Sequence, residues 1–268
     1  MRAAVLGSPI AHSLSPLLHR AAYAALDLPW RYDALQVRAA ELPGFLEGLD
    51  GAAREWAGLS LTMPLKQAVL PLLSARSPLV ELTGAANTVL LQDGRYGENT
   101  DVAGIVAALR EVGVAGPERA VVLGAGATAA SAVVALSQLG VGAVRVLARS
   151  TARAGHLLVL AERLGLRLSV ALLDLAAGLG ADVVVSTVPA GVPLPVTVAG
   201  RPPVLLDVVY APWPTPLASA YLTAGATVVP GSSMLLHQAA AQVELMTGRA
   251  APVAAMRAAL DARDAGRG

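Results

Sequence analysis

The stretch AVVLGAGATAASAVVALSQLGVGAVRVLARS, Ala120 to Ser150, limits what this chain can fold into more than any other segment. A short β-branched run stops at Gly124-Ala125-Gly126, a segment of helical character follows to Gly140, and a second β-rich run leads to Arg149. Strand, glycine turn, helix and strand in that order make a βαβ unit, which demands a sheet with helices laid against it. From Ala120 to Val144 the stretch carries no charge, and the mean hydropathy of the chain is high at +0.59. A membrane helix would tolerate both features, but glycines clustered after a β-branched run fit a turn better than the middle of a span. Composition agrees: at 55% hydrophobic and 3% aromatic, the cores must be packed from Ala, Val and Leu, which suit buried parallel strands.

Gly124-Ala125-Gly126-Ala127-Thr128-Ala129 reads as G-x-G-x-x-[GA] between that strand and that helix. Glycines there allow a tight turn and bring the backbone at a helix N-terminus close to a pyrophosphate. The second strand selects the dinucleotide. An NAD site carries Asp or Glu about 20 residues further on, to bind the ribose hydroxyls. Here VRVLA runs into Arg149, 23 residues after Gly126, with Ser150 and Arg153 behind it and no acid. Two guanidiniums and a hydroxyl make a receptor for a 2′-phosphate, so the expected cofactor is NADP.

The chain has 268 residues, enough for one large α/β domain or two medium ones. Its first hundred residues alternate short strands (AAVLG, RYDALQV, WAGLSLT) with helices (SLSPLLHRAAYAAL, AAELPGFLEGL, and PLKQAVLPLL starting at its proline). NTVLLQDGRYGENTD reads as a hairpin turning at Asp93-Gly94. DVAGIVAALREVG is helical, further strands are expected at RLSVALL, ADVVVSTV, PPVLLDVVY and ATVVPG, and the chain closes with two helices. The predicted architecture is a two-domain α/β protein. Residues 1–101, completed by terminal helices over 233–268, form one domain, and residues 102–232 form a Rossmann-like dinucleotide domain.

A net charge of +1 without any basic block argues against nucleic acid as a partner. The absence of cysteine excludes disulfides, thiolate metal sites and cysteine nucleophiles. His12, His19, His156 and His237 lack metal-like spacing, so no metal is expected. MRAAVLGSPIAHS reaches Gly-Ser-Pro too soon for a secretion signal. These features predict a cytoplasmic protein acting on a small molecule, away from membranes, as a monomer or homodimer.

Lys66, in GLSLTMPLK, is the only lysine in a chain with 19 arginines. Arginine replaces lysine readily where only surface charge is needed, but a guanidinium stays charged while an ammonium can give up and retake a proton. The survivor reads either as a proton-transfer group or as the last remnant of a drift from lysine to arginine.

Several separate motifs, spread over nearly the whole chain, resemble the shikimate dehydrogenase family: GSPIAHSLSPLLH, GLSLTMPLK, GAANTVL, ENTDVAG, ARSTAR, STVPAG, LLDVVYAPWPTPL and PGSSMLLHQAAAQVELMTG. The resemblance implies that Ser13 and Ser15 hold a substrate carboxylate, that Lys66 is catalytic and that Asp101 is its partner. It also implies substrate contacts from Ser60, Thr62, Asn87, Tyr210 and Gln238. On the cofactor side it implies Gly124 to Ala129, Arg149, Ser150, Arg153, Thr187, Val188, Val208, Gly231 and Met234. The chemistry is coherent with a polyhydroxylated ring acid. Paired hydroxyls can anchor its carboxylate, and Thr62, Asn87, Asp101 and Gln238 offer donors and acceptors for its hydroxyls. Hydride delivery to a ring ketone leaves alkoxide character on oxygen, which an ammonium can stabilise and protonate.

Three positions depart from the family pattern: Ser60 where asparagine is usual, Arg20 after His19, and Val102 after Asp101. A shorter side chain at Ser60 predicts room for an extra hydroxyl or a water. The expected activity is therefore NADP-dependent reduction of 3-dehydroshikimate to shikimate, in aromatic amino-acid biosynthesis. A quinate or amino-shikimate dehydrogenase, and a non-catalytic sensor of NADP or a ring acid, are the alternatives.

Overall fold

The computed structural model describes residues 1–174, 179–192, 194, 198 and 203–265. The chain divides into two compact units, Met1–Thr100 with Leu235–Gly268, and Asp101–Met234.

The first unit opens with β1 (Arg2–Gly7), α1 (Ser15–Ala25), β2 (Arg31–Gln36), α2 (Leu42–Leu49) and β3 (Trp56–Leu61). It continues through α3 (Leu65–Ala68), β4 (Ala75–Arg76), α4 (Pro78–Thr83), β5 (Thr88–Leu90) and β6 (Tyr96–Glu98). The strands form one mixed sheet in the order β2-β1-β3-β5-β6-β4. β1 runs parallel to both β2 and β3, and β5 and β6 are the expected antiparallel hairpin, with Gly94 supplying φ +97 in its turn. β3 is buried along its full length because the sheet is covered on both faces there. One side packs Leu6, Leu42, Leu46, Leu59, Leu65 and Val89 into a dry cluster. Each such leucine contributes about 2 kcal/mol by leaving water.

The helix expected over PLKQAVLPLL does not run through. α3 stops at Ala68 and a separate 3₁₀ turn takes Leu70–Leu72. Pro71 has no N–H to give and its ring clashes with the preceding turn, so one α-turn is all the segment can hold. α4 has a clearer signature: the Ser77 hydroxyl accepts from the Val80 N–H at its start, and Gly84 closes it at φ +63.

The second unit contains α5 (Asp101–Glu111), β7 (Arg119–Leu123), α6 (Ala127–Gln138), β8 (Ala143–Ala148), α7 (Gly155–Arg163) and β9 (Arg167–Leu172). It then adds β10 (Val183–Ser186), β11 (Val204–Asp207), α8 (Pro216–Thr223) and β12 (Val228–Pro230). All six strands are parallel, in the order β12-β11-β10-β7-β8-β9. This doubly wound sheet reverses direction at β7, so a crevice opens at the carboxyl ends of β7 and β10. The strand expected over PPVLLDVVY narrows to β11, because the carboxylate of Asp207 turns back on the chain after it; Pro202 lies outside the described residues. The chain ends in α9 (Gly231–Thr247) and α10 (Val253–Ala265), and α10 packs along α1 in the first unit. No described helix is long and apolar enough to cross a membrane.

Candidate active site

In the first unit the expected ring-acid residues cluster at the carboxyl ends of β1 and β3. Thr62 N–H donates to the Leu6 carbonyl at 2.9 Å and Ser8 N–H to that of Met63 at 3.1 Å, so the two strands steer their loops together. Gly7 faces Thr62 so closely that any Cβ would collide with its methyl. Ser13 is half-buried and Ser15, the first residue of α1, is buried. Serines before a helix often serve only as caps, but the capping position is Leu14, which makes no side-chain cap. Ser13 Oγ accepts one long bond of 3.3 Å from the Ser15 N–H, which leaves its own proton to give.

Lys66 is half-buried on α3, and the Ala86 N–H donates to its carbonyl at 2.8 Å. That bond ties the lysine's backbone to the residue preceding Asn87. Asn87 is 1% exposed and sits in a polar network drawn from distant parts of the sequence. Its Oδ1 accepts from Thr88 Oγ1 (2.8 Å) and the Thr100 N–H (2.8 Å). Its Nδ2 donates to Thr100 Oγ1 (2.9 Å) and Gln238 Oε1 (3.2 Å).

Ser60 corrects an expectation. The space beside its short side chain is not open: Tyr32 Oη lies 2.6 Å from Ser60 Oγ and Gln242 Oε1 lies 2.8 Å from it, leaving Ser60 3% exposed. Sequence reasoning missed Tyr32, Thr88, Thr100 and Gln242. Gln242 did carry a signal, standing four residues after Gln238 and so on the same face of α9.

Behind this network His19 is fully buried and stacked on Tyr32, with ring centroids 3.9 Å apart. Its Nδ1 donates to the Ser15 carbonyl at 3.0 Å, while Nε2 is buried without a partner. Burial holds the imidazole at about 4, well below 6.5. Above pH 6.5 neither the folded nor the unfolded chain protonates His19. Between 6.5 and 4 only the unfolded chain does, so the fold loses about 3 kcal/mol across that window. His19→Asn keeps a donor near the Nδ1 position and removes the titration. Denaturant unfolding of this variant should show a shallower loss of stability from pH 6.5 to 4 than the native chain, despite a lower plateau at pH 8. Parallel acid limbs would rule out His19 as their source.

In the second unit the expected cofactor residues stand at the carboxyl ends of the strands. Gly124 ends β7 at φ +105, and Thr187, at the end of β10, leans on its Cα while donating Oγ1–H to the Leu123 carbonyl (2.8 Å). Gly126 precedes α6 with no side-chain cap, and nothing lies within 4 Å of where its Cβ would be. The protein itself does not require a glycine there, whereas a pyrophosphate approaching the free N–H groups of Ala127, Thr128 and Ala129 would. Ala125 completes this turn, half-buried. Arg149 and Arg153 are exposed just past β8, around half-buried Ser150, with no acid among them. These residues fit NADP: a glycine cradle for the pyrophosphate and a cationic end for the 2′-phosphate.

Val188, Val208 and Tyr210 are half-buried beyond β10 and β11, and Met234 is buried. Gly231 abuts the Val208 carbonyl so tightly that no side chain fits. Asp207, also missed from sequence, fastens this loop: it is 2% exposed and accepts from Thr215 Oγ1 (2.6 Å) and the Val209 N–H (3.2 Å). Burial pushes its carboxyl above the usual range, partly opposed by these bonds. Asp101 is buried as the first residue of α5. Among the described residues no group of three His, Asp or Glu is placed to hold a metal.

A doubly wound parallel sheet with a glycine cradle at its switch point, joined to a second α/β unit with a buried hydroxyl- and amide-lined network, defines a two-domain dinucleotide-dependent oxidoreductase. The comparisons with known proteins sharpen that class. Residues 5–89 match the shikimate dehydrogenase substrate binding domain, and residues 231–260 match the shikimate 5′-dehydrogenase C-terminal domain. The chain is 39% identical to the NADP(+) shikimate dehydrogenase of Methylobacterium radiotolerans, over 92% of this chain and 91% of that one. The crystal structure of Mycobacterium tuberculosis shikimate dehydrogenase superposes with a TM-score of 0.86 at 45% identity, covering 97% of this chain and 98% of the other. The Thermus thermophilus enzyme in complex with NADP(H) and shikimate gives 0.83 at 34% identity, covering 97% and 98%. This chain belongs to the shikimate dehydrogenase family.

Proposed function

We propose that the chain is an NADP-dependent shikimate dehydrogenase, reducing 3-dehydroshikimate to shikimate on the route to chorismate and the aromatic amino acids in the cytoplasm. The observation that carries this reading is the buried meeting of Asn87 with Gln238, 151 residues later, 3.2 Å apart beside Thr100. A fold that keeps such a concentration of amide and hydroxyl groups out of water and next to Lys66's helix is equipped for a polyhydroxylated ring. Likeness to relatives named for this activity supports it.

In the proposed mechanism Ser13 and Ser15 anchor the carboxylate, while Ser60, Thr62, Asn87, Asp101, Tyr210 and Gln238 orient the ring. The substrate domain spans 1–101 with 233–268, and the NADP domain spans 102–232. Gly124 to Ala129 cradle the pyrophosphate, Arg149, Ser150 and Arg153 read the 2′-phosphate, and Thr187, Val188, Val208, Gly231 and Met234 line the nicotinamide side. Bound NADPH supplies the hydride. Lys66 donates a proton from its ammonium to the carbonyl oxygen as that oxygen gains charge, becoming a neutral amine that is reprotonated from water. Asp101 orients Lys66. In the reverse direction the neutral amine takes the hydroxyl proton.

Initial rates with shikimate and quinate, each crossed with NADP and NAD, test the assignment. Preference for shikimate with NADP is the expected result. Quinate turnover equal to that of shikimate would overturn the substrate. The crowding of Ser60 by Tyr32 and Gln242 removes the extra room on which the quinate alternative rested.

A further inference from the structure

We infer that Tyr32 is a positioning residue for the ring acid: its buried hydroxyl heads a one-way hydrogen-bond chain through Ser60 to Gln242 that fixes how Ser60 meets the substrate, beside an Asn87–Gln238 pair oriented by the backbone. This rests on the ring-acid reading above.

The direction of the chain is set at three points by backbone groups whose roles cannot reverse. Gln242 Nε2 lies 3.2 Å from the Asn87 carbonyl, an obligate acceptor, and 2.9 Å from Thr88 Oγ1. The amide of Gln242 must therefore turn its Oε1 toward Ser60, and Ser60 Oγ, at 2.8 Å, must donate to it. A hydroxyl has one proton, so the 2.6 Å contact between Ser60 and Tyr32 can only be Tyr32 donating. Further along, the Thr100 N–H is an obligate donor to Asn87 Oδ1, which turns Nδ2 toward Gln238. Gln238 Nε2 in turn donates to the Leu235 carbonyl at 2.9 Å, so its Oε1 is the group presented to Asn87. Thr88 joins the two halves by accepting from Gln242 and donating to Asn87 Oδ1.

Tyr32 reaches this position because β1 lies between β2 and β3 and offers small Ala3 opposite it, so the phenol crosses β1 to Ser60. The stacked His19 ring holds it from behind. One consequence concerns orientation. With its proton spent on Gln242, Ser60 shows a ligand only a lone pair, which accepts from a ring hydroxyl and repels a carboxylate. The acid end of the ring is thereby turned toward Ser13 and Ser15. Without the phenol, Ser60 keeps its proton on Gln242 but loses the donor that holds its oxygen from the other side, so the hydroxyl is positioned by one bond in place of two.

The test is a double-mutant cycle of Tyr32→Phe, Ser60→Ala and both, read as KM for shikimate, KM for NADP and kcat, with shikimate binding by calorimetry alongside. Tyr32→Phe should raise the shikimate KM and dissociation constant about tenfold, the size of one net hydrogen bond. The NADP KM and kcat should stay within about threefold, since binding of ground and transition states suffers alike. The double variant should be no worse than the poorer single one, because both act along one chain. Additive losses, or a Tyr32→Phe protein that binds shikimate as the native one does, would overturn the positioning role. So would equal damage to NADP, which marks a general structural defect. If Tyr32→Phe fails to fold, Ser60→Ala carries the same prediction from the other end of the bond. A native protein that binds shikimate without turning it over would sink the proposed function while leaving this inference testable by calorimetry. A native protein that neither binds nor converts shikimate would sink both.

Discussion

Replacing Lys66 with alanine is expected to lower kcat for shikimate oxidation by about a thousandfold while leaving NADP binding within about twofold. A positioned general acid–base contributes about 10²–10⁴ in rate, and the same ammonium also stabilises the developing alkoxide. The substitution should leave the fold intact. Lys66 is only half-buried, and the bond that ties its helix to Ala86 runs through the Lys66 backbone carbonyl, which alanine keeps. Lys66→Arg is the sharper control. It preserves positive charge but not an amine that can give up and retake a proton, so it should recover little of the lost turnover. Steady-state rates at saturating shikimate, with NADP titrated by fluorescence, separate the two effects. If Lys66→Ala turned over at the ordinary rate, the proton-transfer role would be wrong; if Lys66→Arg restored turnover, charge alone would account for the surviving lysine.

What could be read in advance divides along physical lines. The β7–α6–β8 unit was legible because its signal is local: a β-branched run, two glycines and a small-residue helix in consecutive residues. The hairpin of β5 and β6 was legible from Asp93-Gly94 for the same reason. The helix expected over PLKQAVLPLL is cut short because the missing N–H of Pro71 ends the turn whatever the apolar pattern. The two-residue β4 and the single-turn α3 are too short for any period to register. In the site, the resemblance of their motifs points to Asn87 and Gln238 one by one, but their contact spans 151 residues and only the folded chain creates it. Tyr32 offered no sign at all. A tyrosine in a strand reads as core, and its role emerges from a bond to Ser60 across an intervening strand. The reading of Ser60 as roomy failed for the same reason: a side chain's length does not reveal who fills the space it leaves.

Cofactor choice is the second place where a large effect is expected. Replacing both Arg149 and Arg153 with alanine should raise the KM for NADP about a hundredfold and leave that for NAD within about threefold. Each guanidinium–phosphate bond is charge-assisted and contributes about 1.5 kcal/mol or more; two together correspond to about two powers of ten. Both side chains are exposed, so their removal costs the fold little, and the loss should appear in cofactor selection and not in melting temperature. Exposure also makes the selectivity sensitive to salt. Screening weakens an open ion pair much more than a buried one, so the preference for NADP over NAD in the native protein should narrow between about 50 mM and about 500 mM salt. In the double variant that salt dependence should vanish. Arg149 follows β8, which pairs with all of β7 from Ala143 to Leu147, and β7 ends at the Gly124 turn. The sheet therefore holds Arg149 and the Gly124 turn on neighbouring strands of one frame, the arrangement that the proposed 2′-phosphate and pyrophosphate contacts need. Equal losses toward NADP and NAD would mean that the arginines support the loop and do not read the phosphate, and the missing acid after β8 would then need another explanation.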